Sequence, residues 1–344
     1  MPLVKNKPMD KRPLISILMP VYNAAPFLEA CLDSILEQSS KDWELIAVND
    51  QSTDTSLEIL RKYASKDERI RVLDNNGKGI ILALRLAYSN AKGQYISRMD
   101  ADDLMPPNKL DLLSAVLKDS GPGYVSTGKV AYFSDEGMKD GYLRYADWLN
   151  SLVDEKSHRK ELFRECVIPS PAWMIHRDDL EKSNAFNSDI YPEDYDLVFR
   201  FFEAGLRVRA LDELVHLWRD HSGRTSRNDE TYSQNAYFDI KVHYLDRIED
   251  LRERQILLWG AGRKGKRLAK LLSESGHFFE WTCNVERKWG HIIHGVKMSS
   301  PEVLSTIDNV LVLVAVSGPD DQKDLENYLQ SQSLEKGISY LMFC

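Results

Sequence analysis

Four short apolar segments, closed by polar residues and separated by helical patterns, constrain this chain more than any other feature. LISILMPV (14–21), WELIAVND (43–50), IRVLD (70–74) and GQYISRMD (93–100) read as strands. Between them, 26–38 carries Phe27, Leu28, Cys31, Leu32, Ile35 and Leu36 at helical spacing, and 57–64 and 80–91 continue the alternation. Strand–helix alternation with apolar strands implies a mostly parallel sheet covered on both faces. Ligands of such sheets sit beyond the carboxyl ends of the strands. Tyr22, Asn23, Asp50, Asp100 and Asp102 close these strands and are expected to meet at one edge.

The pattern from 104 to 240 is mixed, with helices at 108–118 and 197–204, short strands and polar loops. A charged connecting helix is expected over 237–254. A second alternating unit follows: strands QILLWGAG (255–262), WTCNV (281–285) and NVLVLVAV (309–316), a helix over 321–332, and a last strand over 338–343. A chain of 344 residues suits two domains. The sequence divides into a polar, basic, disordered N-terminus (1–12), a main α/β domain (13–250) and a smaller Rossmann-like α/β domain (251–344). There is no internal repeat.

Composition narrows the function. A net charge of −8 excludes a surface that traps nucleic acid as a whole, so phosphate binding must be local. Cys31, Cys166, Cys283 and Cys344 form no CxxC pair, which argues against a zinc site or a disulfide framework and fits a reducing compartment. The longest N-terminal apolar run, 14–21, contains Ser16 and Pro20 and is too short to span a membrane. A cytoplasmic location is expected.

The segment SRMDADD presents Asp100, Asp102 and Asp103 at a strand end. Like charges this close need an offset, and Mg²⁺ or Mn²⁺ supplies one. Such an ion takes one or two carboxylates together with phosphate oxygens and water, and can neutralise a departing diphosphate. The same acids also suit a turn or helix cap. Further on, WRDHSGRTSR (218–227) sets Arg219, His221, Arg224 and Arg227 in a Ser/Gly-containing loop. His221 suits metal or phosphate and the arginines suit phosphate oxygens, or the segment is a solvated loop. Lys78, between Gly77 and Gly79, is a further phosphate candidate. YPEDYDLVFRFFEAG places Glu193, Asp194 and Asp196 ahead of an apolar helical run, where first-turn acids also favour the helix dipole.

Four motifs in order, PVYN (20–23), VNDQSTD (48–54), MDADD (99–103) and PEDYDLVFR (192–200), resemble the signature of inverting family 2 glycosyltransferases of the GT-A fold. The resemblance covers about 13–225. It implies a UDP-sugar donor held by Pro20, Val21, Tyr22, Asn23 and Asp50. Asp100, Ala101 and Asp102 would meet ribose and metal, with Asp102 the direct ligand and Asp100 and His221 further ligands. Lys78 and Arg224 would face the diphosphate. It implies Asp194 as general base, with Glu193 in reserve. The chain departs from the pattern at Asn49, where Asp is frequent, at Gln51, where Gly is frequent, and at Leu84 and Arg85, where a small residue and Asn are frequent.

In the C-terminal unit, Gly260, Gly262 and Gly265 are spaced as GxGxxG between a strand and a helix, the context of a dinucleotide site. Asn284 stands where an acidic ribose ligand is expected, which argues against NAD. The glycines equally suit a tight turn. Arg263, Lys264, Lys266 and Arg267 crowd the start of that helix, as an anion site or a solvated face. RYADWLNSL (144–152), WGAGRKGKRL (259–268) and the final LMFC are similar to a subgroup of β-1,3-N-acetylglucosaminyltransferase-like proteins that includes a queuosine-tRNA galactosyltransferase. That resemblance implies galactose transfer to tRNA. A cell-surface glycan or lipid-linked saccharide is the other acceptor reading. A nucleotide-binding regulatory module on a degenerate transferase scaffold is the reading from another class.

Overall fold

The computed structural model describes residues 12–134, 137, 140–224 and 237–344. The segment read as a disordered N-terminus lies, apart from Arg12, outside the described residues, as does Arg227. The chain forms two compact units. The first takes Met1–Asp154, Ile168–Asp189 and Ala204–His221, and the second Glu155–Val167, Ile190–Glu203 and Ser222–Cys344.

The first unit is built on a seven-stranded sheet. Its strands are β1 (Ile15–Val21), β2 (Trp43–Asn49), β3 (Ile70–Asp74), β4 (Tyr95–Arg98), β5 (Tyr124–Phe133), β6 (Trp173–His176) and β7 (Arg207–Arg219), in the order β3-β2-β1-β4-β6-β5-β7. The strands from β3 to β4 are parallel, β6 runs against both neighbours, and β5 and β7 are parallel. Nearly every residue of β1 and β2 is buried. This burial on both faces explains why they read as continuous apolar runs. Helix α1 (Ala25–Leu36) buries Leu28, Cys31, Leu32 and Ile35, one face at the spacing of two helical turns. Each such Leu or Ile contributes about 1.5–3 kcal/mol. Helices α2 (Ser56–Ala64), α3 (Ile80–Asn90) and α4 (Lys109–Ser120) follow β2, β3 and β4. Helix α5 (Asp140–Glu155) follows β5.

The α/β architecture matches expectation, and the strands of this sheet that single-sequence patterning did not isolate are β5, β6 and β7. The first half of β7 is charged and largely exposed, as an edge strand is, so no apolar run marks it. Its pairing with β5 is also irregular: β5 steps from Gly128 to Val130 while β7 steps from Leu211 to His216. A Cβ on Gly128 would come within 2.7 Å of Val215 and 2.8 Å of the Glu213 carbonyl, so glycine lets the irregular strand pass. Bulges of this kind re-aim the side chains that follow them.

The second unit carries a six-stranded sheet in the order β10-β11-β9-β8-β12-β13. Its strands are β8 (Gln255–Trp259), β9 (Phe279–Thr282), β10 (Ile292–Ile293), β11 (Val296–Ser299), β12 (Val310–Val314) and β13 (Tyr340–Met342). All neighbours are parallel except the β10–β11 hairpin. Leu257, Trp259, Val312, Val314, Leu325, Leu329, Tyr340 and Met342 form one core cluster. Helices α6 (Glu193–Glu203), α7 (Tyr237–Ile248), α8 (Arg263–Glu274) and α9 (Pro319–Ser331) belong to this unit. The charged connecting helix ends at Ile248, short of the expected 254. Among the described residues no helix is long and apolar enough to cross a membrane.

Two of the three glycines of the GxGxxG segment have packing roles. Gly260 has φ 133°, and a Cβ there would meet the Ala315 carbonyl at 2.6 Å. A Cβ on Gly265 would strike the Gly260 carbonyl, so this glycine allows α8 to pack closely on β8. Gly262 faces open space. Asn284 lies past the end of β9, and its side-chain oxygen accepts the indole N–H of Trp259 at 2.9 Å.

Candidate active site

The carboxyl ends of β1, β2 and β4 lie side by side in the first sheet, and the loops that leave them are knitted together. The Asp50 N–H donates to the Val21 carbonyl. Past β1, Asn23 adopts φ 47°, and its Oδ1 accepts the Thr53 N–H at 2.8 Å while its own N–H donates to Ser52 Oγ at 3.1 Å. Tyr22, between them, is 53% exposed, open to stack on a ligand. Pro20 and Val21 end β1 itself.

Asp50 is buried and committed. Its Oδ1 accepts Asn75 Nδ2 at 2.6 Å, and both oxygens face the Gly79 N–H at 2.9–3.0 Å. Gly79, at φ 108°, can hold that conformation because it lacks a side chain. Asp50 thus braces the 75–79 loop, in which Lys78 is exposed. The departures from the family pattern have local reasons. Asn49 Nδ2 donates to Asp74 Oδ1 at 2.9 Å, which an aspartate could not do. Gln51, at φ 60°, donates to the Gly77 carbonyl. Arg85, on α3, donates to the carbonyls of Phe186 and Ser188 and pairs with Asp189 at 2.7 Å.

The three aspartates after β4 have three different environments. Asp100 Oδ1 is 2.8 Å from Nε of the buried Arg98. Asp103 is 2% exposed and faces β7. Asp102 is partly exposed, as Asp100 is, and its Oδ2 lies 3.0 Å from His221 Nε2. Ala101, between Asp100 and Asp102, is buried. The His221 ring packs on Phe27 with centroids 4.3 Å apart.

Buried groups beneath the loop balance its charge. Lys109, at the start of α4, is fully buried and donates to the Pro171 carbonyl at 2.5 Å. Burial pushes its pKa down to about 8, against the pull of Asp103 and Asp100. Burial also pushes the Cys31 thiol up, and the three aspartates add to that.

Among the described residues no three His, Cys, Asp or Glu side chains are grouped to hold a metal ion. Asp102 and His221 together offer one carboxylate and one imidazole. The carboxylate suits a hard divalent cation taking its other ligands from a diphosphate and water, and the imidazole favours Mn²⁺ over Mg²⁺. Asp100, expected as a further ligand, is occupied with Arg98 where it stands.

The second unit holds the other candidate residues. Glu193 and Asp194 open α6, with Glu193 8% exposed and Asp194 more open. The Tyr195 N–H donates to Asp194 Oδ1 at 2.8 Å. Asp196 is structural: its Oδ1 accepts the Tyr244 hydroxyl at 2.6 Å and its Oδ2 accepts Arg200 Nε at 2.7 Å. Burial raises the Tyr237 hydroxyl well above the usual range, and Glu165, Asp194, Cys166 and Glu193 add to it. Glu165, which no motif signalled, thus acts on the same hydroxyl as the α6 acids. Arg224 also falls in this unit.

The sheet order and the aspartate loop define a GT-A architecture. The sequence profile of Glycosyl transferase family 2 matches residues 16–183. EpsE of Bacillus subtilis is 30% identical over 243 residues, covering 65% of this chain and 80% of EpsE. The chondroitin synthase of Pasteurella multocida is 38% identical over 238 residues, 68% of this chain and 23% of the synthase. EpsJ of Bacillus subtilis is 30% identical and matches over 61% of this chain and 62% of its own length. The chain thus spans less than two thirds of EpsJ and of the synthase. Residues 1–349 of TarS from Staphylococcus aureus, solved with UDP-GlcNAc, share the fold with a TM-score of 0.54 at 18% identity, covering 77% of this chain and 73% of that one. The chain belongs to glycosyl transferase family 2.

Proposed function

We propose that this chain transfers a sugar from a UDP-sugar to a hydroxyl of a cell-surface saccharide, with inversion. The observation that carries this reading is the open Asp102–His221 pair at the end of β4 in a family 2 sheet. The chondroitin synthase relative is named for a polysaccharide product and supports a glycan acceptor. The tRNA acceptor implied by the subgroup resemblance takes second place to it. The TarS neighbour, solved with UDP-GlcNAc, carries the donor class assigned here.

In this reading residues 13–250 perform transfer, and 251–344 form a Rossmann-like part that clusters with 155–167, 190–203 and 222–250 in the second compact unit. Tyr22, Asn23 and the loops braced by Asp50 receive the uridine. Asp102 and His221 hold a divalent cation, with Asp100 beside them. When bound, that ion neutralises the diphosphate leaving group. Lys78 and Arg224 face the phosphates. Asp194 takes the proton of the acceptor hydroxyl as the new glycosidic bond forms. The transition state is oxocarbenium-like, and one base opposite the leaving group gives inversion.

The test is UDP release with Mn²⁺ across a panel of UDP-sugars, with chondroitin-type oligosaccharides in one arm and queuosine-containing tRNA in the other. A sugar turned over faster with an oligosaccharide supports the glycan reading. Acceleration by the tRNA alone overturns it in favour of the second acceptor.

A further inference from the structure

Asp103 stands next to the cation pair, yet both of its oxygens are directed into β7. Oδ2 lies 2.9 Å from Nε2 of His216, whose side chain is fully buried. Oδ1 accepts the backbone N–H of Arg219 at 2.8 Å. A carboxylate this deep needs such partners, because burying an unpaired charge is prohibitive. Both oxygens are thus engaged by β7.

The surrounding contacts show what the arrangement fixes. Leu104 and Leu217 exchange both backbone hydrogen bonds, at 3.0 and 3.1 Å. Arg219 Nε donates to the Asp102 carbonyl at 3.0 Å. The stretch 102–104 is therefore fastened to 216–219, and His221 leaves the end of the same strand to meet Asp102. The irregular pairing of β5 with β7 ends where Val130 faces His216, which sets the imidazole at its depth. Asp103 and His216 thus join the two chain segments that carry the proposed ligands.

We infer that Asp103 and His216 are a positioning pair that holds Asp102 and His221 at the spacing a divalent cation requires, without ligating it. This rests on the metal reading of Asp102 above. Ligands are useful only when held to a fraction of an ångström by groups behind them, and such supporting groups change metal affinity about 10–100-fold when removed.

The experiment compares full-length wild type with His216→Leu, His216→Gln and Asp103→Asn. UDP binding is titrated calorimetrically in EDTA and over a Mn²⁺ series, with thermal midpoints recorded alongside. His216→Leu is expected to raise the apparent Kd for Mn²⁺ at least about tenfold, while UDP affinity in EDTA stays at the wild-type value. His216→Gln, whose amide N–H reaches the same carboxylate, should restore Mn²⁺ affinity. Asp103→Asn keeps an acceptor for Arg219 but loses the charged partner of His216, and should weaken Mn²⁺ as His216→Leu does. If His216→Leu does not fold, Asp103→Asn against His216→Gln makes the comparison. Unchanged Mn²⁺ affinity, equal losses with and without metal, or no rescue by glutamine each overturn the positioning role. A wild type whose UDP binding ignores Mn²⁺ sinks the metal reading itself, a result distinct from any difference among the variants.

Discussion

His221 Nε2 stands 3.0 Å from Asp102 Oδ2, and both side chains are partly open to solvent. Partly exposed pairs contribute little to stability, about 0–1 kcal/mol, so the fold does not depend on this one. Asp102→Asn should abolish Mn²⁺-dependent UDP binding and transfer while leaving the thermal midpoint nearly unchanged. His221→Ala should weaken Mn²⁺ in the same direction. Calorimetry with Mn²⁺ and with EDTA separates the two contributions. Normal turnover by Asp102→Asn would remove the metal assignment.

Three acids open α6, and the structure separates their duties. Asp196 is bound to Tyr244 and Arg200, so Asp196→Ala should cost about 3–5 kcal/mol, as loss of one partner in a buried pair does. Asp194→Asn should keep UDP binding and lower turnover by about 10²–10⁴-fold. Glu193→Gln should be the milder change. Steady-state rates beside urea denaturation curves read both effects. A rate lost in Glu193→Gln and kept in Asp194→Asn would move the base to Glu193.

The first four strands and the loops after them were legible because their signals are local. Apolar runs such as Ile15–Val21 end in polar residues, and parallel pairing brings those ends together. What was hidden depends on contacts distant in sequence. His216 sits in an apolar stretch and gains its meaning only from Asp103, 113 positions away. Arg98 and Lys109 belong to no motif and prove to be buried counter-charges. Asp50 read as a ligand contact and is also a brace for Asn75 and Gly79. Glu165 has no motif at all, and only the fold brings it near Asp194 and Tyr237.

Asn49 offers a test of whether a departure from the family pattern is compensated locally. Its amide donates to Asp74 Oδ1, and the Asn49 side chain is nearly buried. Asn49→Asp would replace that donor with a second carboxylate, and at pH 7 the two would repel. A loss of about 0.5–1.5 kcal/mol is expected, the usual net worth of a hydrogen bond whose partner is open to solvent. Lowering the pH to 5 should recover part of it, because a shared proton restores a donor. Denaturation midpoints at the two pH values measure this. An unchanged midpoint at pH 7 would show that the Asn49–Asp74 bond is not what selects asparagine here.

His158 supplies a pH dependence whose sign is fixed by burial. The residue is 4% exposed, and desolvation lowers its pKa from 6.5 to about 4. An imidazole that resists charging in the folded state still takes its proton in the unfolded chain. Between about pH 6.5 and 4 the unfolded state therefore binds more protons, and stability rises with pH across that window. Its contribution is fully present above the unfolded value and is lost as pH falls toward the folded one. At 1.36 kcal/mol per pH unit, the full window is worth about 3 kcal/mol, and lowering the pH from 7 to 5 should remove about 2 kcal/mol of it. His158→Gln does not titrate, so its unfolding free energy should fall less over the same step. Urea denaturation of both proteins at pH 7 and pH 5 gives the comparison. If the variant loses as much stability as the wild type, acid sensitivity in this range arises from other groups.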